Sequence, residues 1–150
     1  SGSTFTYMGD KKSNVKSQWP NWDHKTYTVE DLAVGQIRFD NGATLHIEAS
    51  FAAHIEKNEW NFTIMGEKGG ATWDPPEIFR DDNDYMVNTQ PNWLPSGPAA
   101  DAFGLKMRNF VDHVLYDTES MAPAEHGLMV QKMLDGIYAS AAKGREVAIK

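Results

Sequence analysis

Apolar and polar positions alternate most regularly between residues 32 and 53. In the run Leu32 to Phe39, Ile37 and Phe39 fall on one side, with Gln36 and Arg38 on the other. In the run Ala43 to Ala53, Leu45, Ile47, Ala49 and Phe51 alternate with Thr44, His46, Glu48 and Ser50. A period of two marks a strand with one buried face. Asp40-Asn41-Gly42 separates the two runs, and Asn41-Gly42 supplies the positive φ angles of a tight hairpin turn. Ser1 to Met8 reads as a further short strand with Phe5 and Tyr7 on one face. Trp60 to Met65 and Ala71 to Trp73 read as two more, joined through Gly66-Glu67-Lys68-Gly69-Gly70. That glycine cluster is a structural turn rather than a phosphate loop. No helix follows it and no Gly-Lys-Ser/Thr occurs.

The period changes in the last third of the chain. Phe103, Met107, Phe110, Val111 and Val114 recur at helical spacing, predicting a helix over Ala99 to Tyr116. Val130, Leu134, Ile137 and Ala141 form one stripe of a second helix, Ala122 to Lys143. Pro123 suits its first turn and Gly144 its C-terminal cap. Gly127, Gly136 and Ser140 allow a neighbour's backbone to come close. Glu146 to Ile149 reads as a closing strand. Lys11 to Thr28 reads as a polar loop. Residues 75–98 read as a long connection, because five of the seven prolines fall there, with short strands at Glu77–Arg80 and Tyr85–Thr89. Strands first and helices after predict an α+β domain. The expected architecture is an open-faced, mainly antiparallel sheet covered on one face by two long helices. Its opposite face, with Gln36, Arg38, His46, Glu48 and Ser50, stays uncovered.

Composition narrows what such a domain does. The chain has 150 residues, 41% hydrophobic and 23% charged, which fits a single globular domain. A formal charge of −7 argues against nucleic-acid backbones and anionic membranes as partners. No apolar run approaches the ~20 residues of a membrane-spanning helix. The absence of cysteine excludes disulfides, thiolate metal sites and cysteine nucleophiles. The chain opens Ser1-Gly2-Ser3 without an initiator Met, which reads as a natural start missing or replaced.

No residue set announces a catalytic centre. The five histidines (His24, His46, His54, His113 and His126) form no metal-binding pair. No Gly-x-Ser-x-Gly elbow supports a nucleophilic serine. Glu48, Glu56 and the aspartates at 81, 82 and 84 read as solvated charge before they read as a glycosidase pair. Trp19, Trp22 and Trp93 lie in loops, either pinning long connections or offering rings to sugar faces. Trp60 and Trp73, at strand ends, read as core or interface residues. His126 falls in a helical first turn after Pro123-Ala124-Glu125, where free N–H groups and the dipole favour polar or anionic ligands. An exposed residue without a ligand is the equal alternative.

Several stretches in order resemble the C-terminal domain of the Gfo/Idh/MocA family, the glucose–fructose oxidoreductase and inositol dehydrogenase group. They are Ser1 to Thr6, and Thr28-Val29-Glu30-Asp31-Leu32-Ala33-Val34-Gly35 onward to Phe39. Asn41 to Leu45, Ser50-Phe51, Glu59-Trp60-Asn61 and Gly66 to Ala71 follow. Pro123 to Leu128, Leu134 to Ala142 and Gly144 to Val147 complete the set. The resemblance implies one C-terminal substrate and oligomerisation domain over residues 1–150. It belongs to a cytoplasmic oxidoreductase that moves hydride between NAD or NADP and a sugar, polyol or related small molecule. It also implies an N-terminal Rossmann domain that this chain lacks, since neither Gly-x-Gly-x-x-Gly nor a Glu-Lys-Pro motif occurs here. The chain alone is then expected to be inactive and to bind no cofactor. By the same resemblance His54, Asn58, Trp60 and His126 line the substrate pocket, and the open sheet face joins copies into a homo-oligomer. The rival reading is a stand-alone carbohydrate-binding or dimerising module.

Overall fold

The computed structural model describes residues 1–6, 26–92 and 101–149. The expectations for Tyr7 and Met8, for Trp19, Trp22 and His24, and for Trp93 lie outside the described residues. The chain forms two compact units, Ser1–His54 with Met121–Lys150, and Ile55–Ser120. Each is described by itself. Among the described residues there are seven strands, paired antiparallel throughout, and two helices, so the fold class is α+β as expected.

The first unit holds β1 (Gly2–Phe5), β2 (Leu32–Arg38) and β3 (Thr44–Ser50), in sheet order β1-β2-β3. The register pairs Gly35 with Gly2 and Ile47, and Ile37 with Leu45. One face therefore carries Gly2, Ala33, Gly35, Ile37, Leu45, Ile47 and Ala49, as the alternation requires. Helix α2 (Ala124–Lys143) packs on β1 and β2. Ile137 is 6% exposed, and a Cβ on Gly2 or Gly35 would lie 2.7 and 2.8 Å from its side chain. The two glycines thus form the floor on which Ile137 sits. The covered stripe of α2 runs through Met133, Gly136, Ile137 and Ser140, spaced three and four apart. Val130 and Leu134, expected on that stripe, are exposed.

Three details of this unit correct the sequence reading. Only Gly42 (φ +89°) takes a positive φ at the first hairpin. Its N–H donates to Phe39 O, and the Asn41 carboxamide oxygen accepts from Ala43 N–H at 3.0 Å. This is a three-residue turn closed by glycine, the next commonest hairpin connection after two-residue loops. Glu146 to Ile149 forms no strand. β2 already has both edges paired, and the segment is held by side chains instead. Glu146 accepts from Arg38 Nε at 3.0 Å and Nη2 at 2.5 Å, and Ile149 lies against Gly136. Gly127 faces open space, so no close approach explains it.

The second unit holds β4 (Thr63–Gly66), β5 (Gly69–Thr72), β6 (Glu77–Asp82) and β7 (Tyr85–Thr89), a meander in sheet order β4-β5-β6-β7, with α1 (Ala102–Tyr116) after it. The glycine cluster is the β4–β5 turn. Gly69 has φ +152°, and a Cβ there would lie 2.4 Å from Phe79 O. The two short strands expected within residues 75–98 pair as a β6–β7 hairpin, turned by Asn83 and Asp84 with φ +49° and +66°. Two consecutive positive φ values match the turn to the strands' right-handed twist, and Asn and Asp tolerate them best after glycine. The α1 helix begins at Asp101, whose carboxylate accepts from Gly104 N–H at 2.8 Å. Its apolar positions Phe103, Met107, Phe110 and Val114 are exposed. In the first unit the cover expected from the helices is supplied by α2, over β1 and β2.

Candidate functional site

Ser140 ties the first unit together. It is 1% exposed; its Oγ accepts from Gly2 N–H at 2.9 Å and donates to Arg145 O at 2.8 Å. One hydroxyl so satisfies two backbone groups, joining β1, α2 and the closing segment. The small-residue role expected of Ser140 holds, with this polar duty added. Around it lies an open concavity of about 650 Å³, lined among others by Ser1, Gln36, His46, Glu48 and Arg145. The polar face carrying Gln36, His46 and Glu48 is exposed.

A second tie joins α2 to the entry of β2. Tyr138 Oη donates to Glu30 Oε1. This bond holds the Glu30 carboxyl below its ordinary range, because it stabilises the charged carboxylate. It holds Tyr138 above its own, because removing the phenolic proton would break the bond beside a negative charge. Asp31, next in sequence, is buried; its N–H donates to Phe5 O at 3.0 Å and its carbonyl accepts from Ser50 Oγ at 2.6 Å.

The four candidate site residues are divided between the units. His126 stands exposed in the first turn of α2, its N–H donating to Pro123 O at 3.0 Å. Pro123 precedes the helix as its N-cap and gives no side-chain cap. His54 is exposed at the end of the first unit's leading segment. Asn58 and Trp60 belong to the second unit, both exposed. Trp60 is 79% exposed and precedes β4, so it is not a core residue of this chain.

Trp60 has neighbours that the sequence reading missed. Its ring lies 6.5 Å from that of Trp73 at 85°, and Phe62 stacks on Trp73 at 5.8 Å and 18°. Asn61 ties together the two backbone segments beside these rings. Its Nδ2 donates to Asp74 O at 2.8 Å, and its Oδ1 accepts from Phe62 N–H at 2.8 Å and Asp74 N–H at 3.0 Å. Trp73 N–H also donates to Phe62 O at 3.2 Å. A signal for this existed. A hairpin turned at Glu67-Lys68 places Thr63 opposite Thr72, and one step further sets Phe62 opposite Trp73.

The described residues offer no fitting cradle for a dinucleotide. Such a site needs parallel strands feeding a helix N-terminus that faces phosphate. Here the pairings are antiparallel, the α1 N-terminus is filled by the Asp101 carboxylate, and α2 carries Glu125 in its first turn. Among the described residues no three His, Asp or Glu side chains group as metal ligands.

Comparison with known proteins defines the class. The profile of the Gfo/Idh/MocA oxidoreductase family's C-terminal alpha/beta domain matches residues 3–149. The chain belongs to that family. It is 34% identical over 148 residues to the D-glucoside 3-dehydrogenase of Escherichia coli (strain K12), covering 97% of this chain and 40% of that protein. The fold matches an aldose-aldose oxidoreductase from Caulobacter crescentus, solved with glycerol, at TM-score 0.62 and 17% identity. That match covers 96% of this chain and 38% of the other. A putative oxidoreductase from Bacteroides fragilis NCTC 9343 matches at TM-score 0.57 and 13% identity, over 87% and 43% of the two chains. The chain thus spans about two-fifths of these proteins. No helix among the described residues is long and apolar enough to cross a membrane.

Proposed function

We propose that this chain is the substrate-binding and oligomerisation part of a cytoplasmic NAD(P)-dependent oxidoreductase that acts on a sugar, polyol or related small molecule. The observation that carries this reading is the 34% identity to a D-glucoside 3-dehydrogenase along nearly the whole chain. The coverage of 40% of that relative supports a division of labour, with the nucleotide held by a separate Rossmann domain. The antiparallel pairings and the acidic first turns of the helices described here are consistent with that division. His54, Asn58, Trp60 and His126 are proposed as substrate contacts, supplying hydrogen bonds and one apolar ring. The polar sheet face with Gln36, Arg38, His46 and Glu48 is proposed as the contact between copies, an isologous patch of mixed charge.

The test is a steady-state assay of NAD(P)H formation from glucosides and polyols, run on the whole parent protein and on this chain alone. Turnover by the parent only is expected. Turnover by the isolated chain, or none by the parent across sugars and polyols, contradicts the proposal. In the parent, His126→Ala and Asn58→Ala are expected to raise KM. The second reading, a carbohydrate-binding module without redox chemistry, draws support from the exposed ring cluster at Trp60. It requires saturable sugar binding with no activity in the parent.

A further inference from the structure

We propose that the outer edge of β3 pairs antiparallel with the same edge of a second copy, about a two-fold axis at Ile47, and joins two three-stranded sheets into one. Among the described residues, sheet order β1-β2-β3 leaves β3 outermost. The register fixes which of its backbone groups look outward. Gln36 exchanges two hydrogen bonds with Ser1, each 2.7 Å, so Gln36 and Arg38 turn their N–H and C=O towards the β1 side. Gly35 and Ile37 turn theirs towards β3, as Phe39 N–H does in donating to Ala43 O. Their partners Ile47 and Leu45 point back at β2. Thr44, His46, Glu48 and Ser50 therefore present N–H and C=O groups at the edge. The opposite edge of the sheet is guarded: β1 has four residues, and Ser140 Oγ takes up Gly2 N–H. β3 has seven residues, pairs with β2 without a bulge, holds no Lys or Pro, and is exposed at every position but Ile47. Such an edge is a template for another strand. The residues of β3 select a second copy as that strand. Turned end for end about Ile47, the segment Thr44-Leu45-His46-Ile47-Glu48-Ala49-Ser50 meets itself with His46 opposite Glu48, Leu45 opposite Ala49 and Thr44 opposite Ser50. An imidazole can donate to a carboxylate whether it is neutral or charged. An axis at Glu48 would set carboxylate against carboxylate, and one at His46 imidazole against imidazole. The axis at Ile47 also makes His46 and Glu48 the hydrogen-bonded pair, and theirs are the backbone groups that look outward. This isologous contact is additional to the face contact proposed above and stands without it.

The test uses single-cysteine variants of the intact 150-residue chain, which has no cysteine of its own. The axis sets Ile47 opposite its own counterpart in a non-hydrogen-bonded pair, with Cα atoms about 4.5 Å apart, within reach of a disulfide. Ile47→Cys is expected to oxidise to a linked dimer about tenfold faster than Gln36→Cys, which lies on the polar face of β2. In the unaltered chain, the mass from light scattering is expected to double as concentration rises, while amide exchange at His46 and Glu48 slows. Glu48→His sets imidazole against imidazole, and His46→Glu sets carboxylate against carboxylate. Each spoils two pairs per dimer and is expected to weaken association about tenfold. The exchanged double variant, His46→Glu with Glu48→His, rebuilds the pairing and is expected to associate as the unaltered chain does. An unchanged far-UV circular dichroism spectrum checks each fold. A mass that never rises, or a double variant as weak as the single ones, would overturn the proposal. So would slow exchange at His46 and Glu48 in a monomer, because the edge would then be covered within one copy. A faster cross-link at Gln36→Cys would overturn it in favour of the face contact. The face contact fails separately: if Gln36→Cys never cross-links while Ile47→Cys does, the face is lost and the edge is kept.

Discussion

The two units use apolar residues in opposite ways. In the first, the apolar face of β1 and β2 is closed against α2, and the closest contact is made by residues with almost no side chain. Gly2 and Gly35 let Ile137 descend to the sheet, and Ser140 supplies the hydrogen bonds that this close approach demands. In the second, the rings at Trp60, Phe62 and Trp73 are held firmly and left open. A firm tie therefore does not imply burial. The Asn61 pin orders a surface, whereas the Ser140 pin seals a core. Rigid, exposed apolar groups are what a recognition surface needs, because ordering them beforehand removes an entropic cost of binding.

Truncating the plug gives the largest expected change. Ile137→Ala leaves a cavity above two glycines that cannot fill it, and stability should fall by about 3 kcal/mol in urea denaturation. Next is Gly35→Val, whose Cβ would start 2.8 Å from Ile137 Cδ1. A loss of about 2 kcal/mol is expected from overpacking. If both variants unfold with the wild-type midpoint, the sealed interface is not what holds the first unit. Ser140→Ala removes the acceptor of Gly2 N–H and should cost about 1–2 kcal/mol by the same measurement.

A smaller effect concerns pH. Glu30 is held below its unfolded value, so the stability it adds is present above that value and fades as pH falls through the folded one. Tyr138 is held above its unfolded value, so its share is present below that value and is lost as pH rises through the folded one. Tyr138→Phe should flatten both edges of the stability–pH profile, measured by thermal melting. An unchanged profile would remove the Tyr138–Glu30 bond from the ties between α2 and β2. Smallest of all, Trp60→Ala should shift the denaturation midpoint by no more than about 0.5 kcal/mol, as an exposed residue does. A large loss there would erase the contrast between the units, making Trp60 part of a core after all.

Local order was legible where a side chain's period or a backbone's φ is dictated by its neighbours. The alternation from Leu32 to Ser50 set which residues share a sheet face. Gly66 to Gly70 marked a turn, and Gly144 (φ +60°) capped α2. The short strands on either side of Asn83-Asp84 were legible too, while the turn between them carries no glycine to mark its two positive φ values. Family membership was likewise legible, through short motifs in a fixed order. Only the folded chain decided that Met133, Gly136, Ile137 and Ser140, and not Val130 and Leu134, meet the sheet. It alone put Ile149 against Gly136 with no strand. These depend on contacts between residues far apart in sequence, whose geometry no local period encodes: a helix can turn several apolar stripes towards a sheet, and only close packing against particular glycines selects one.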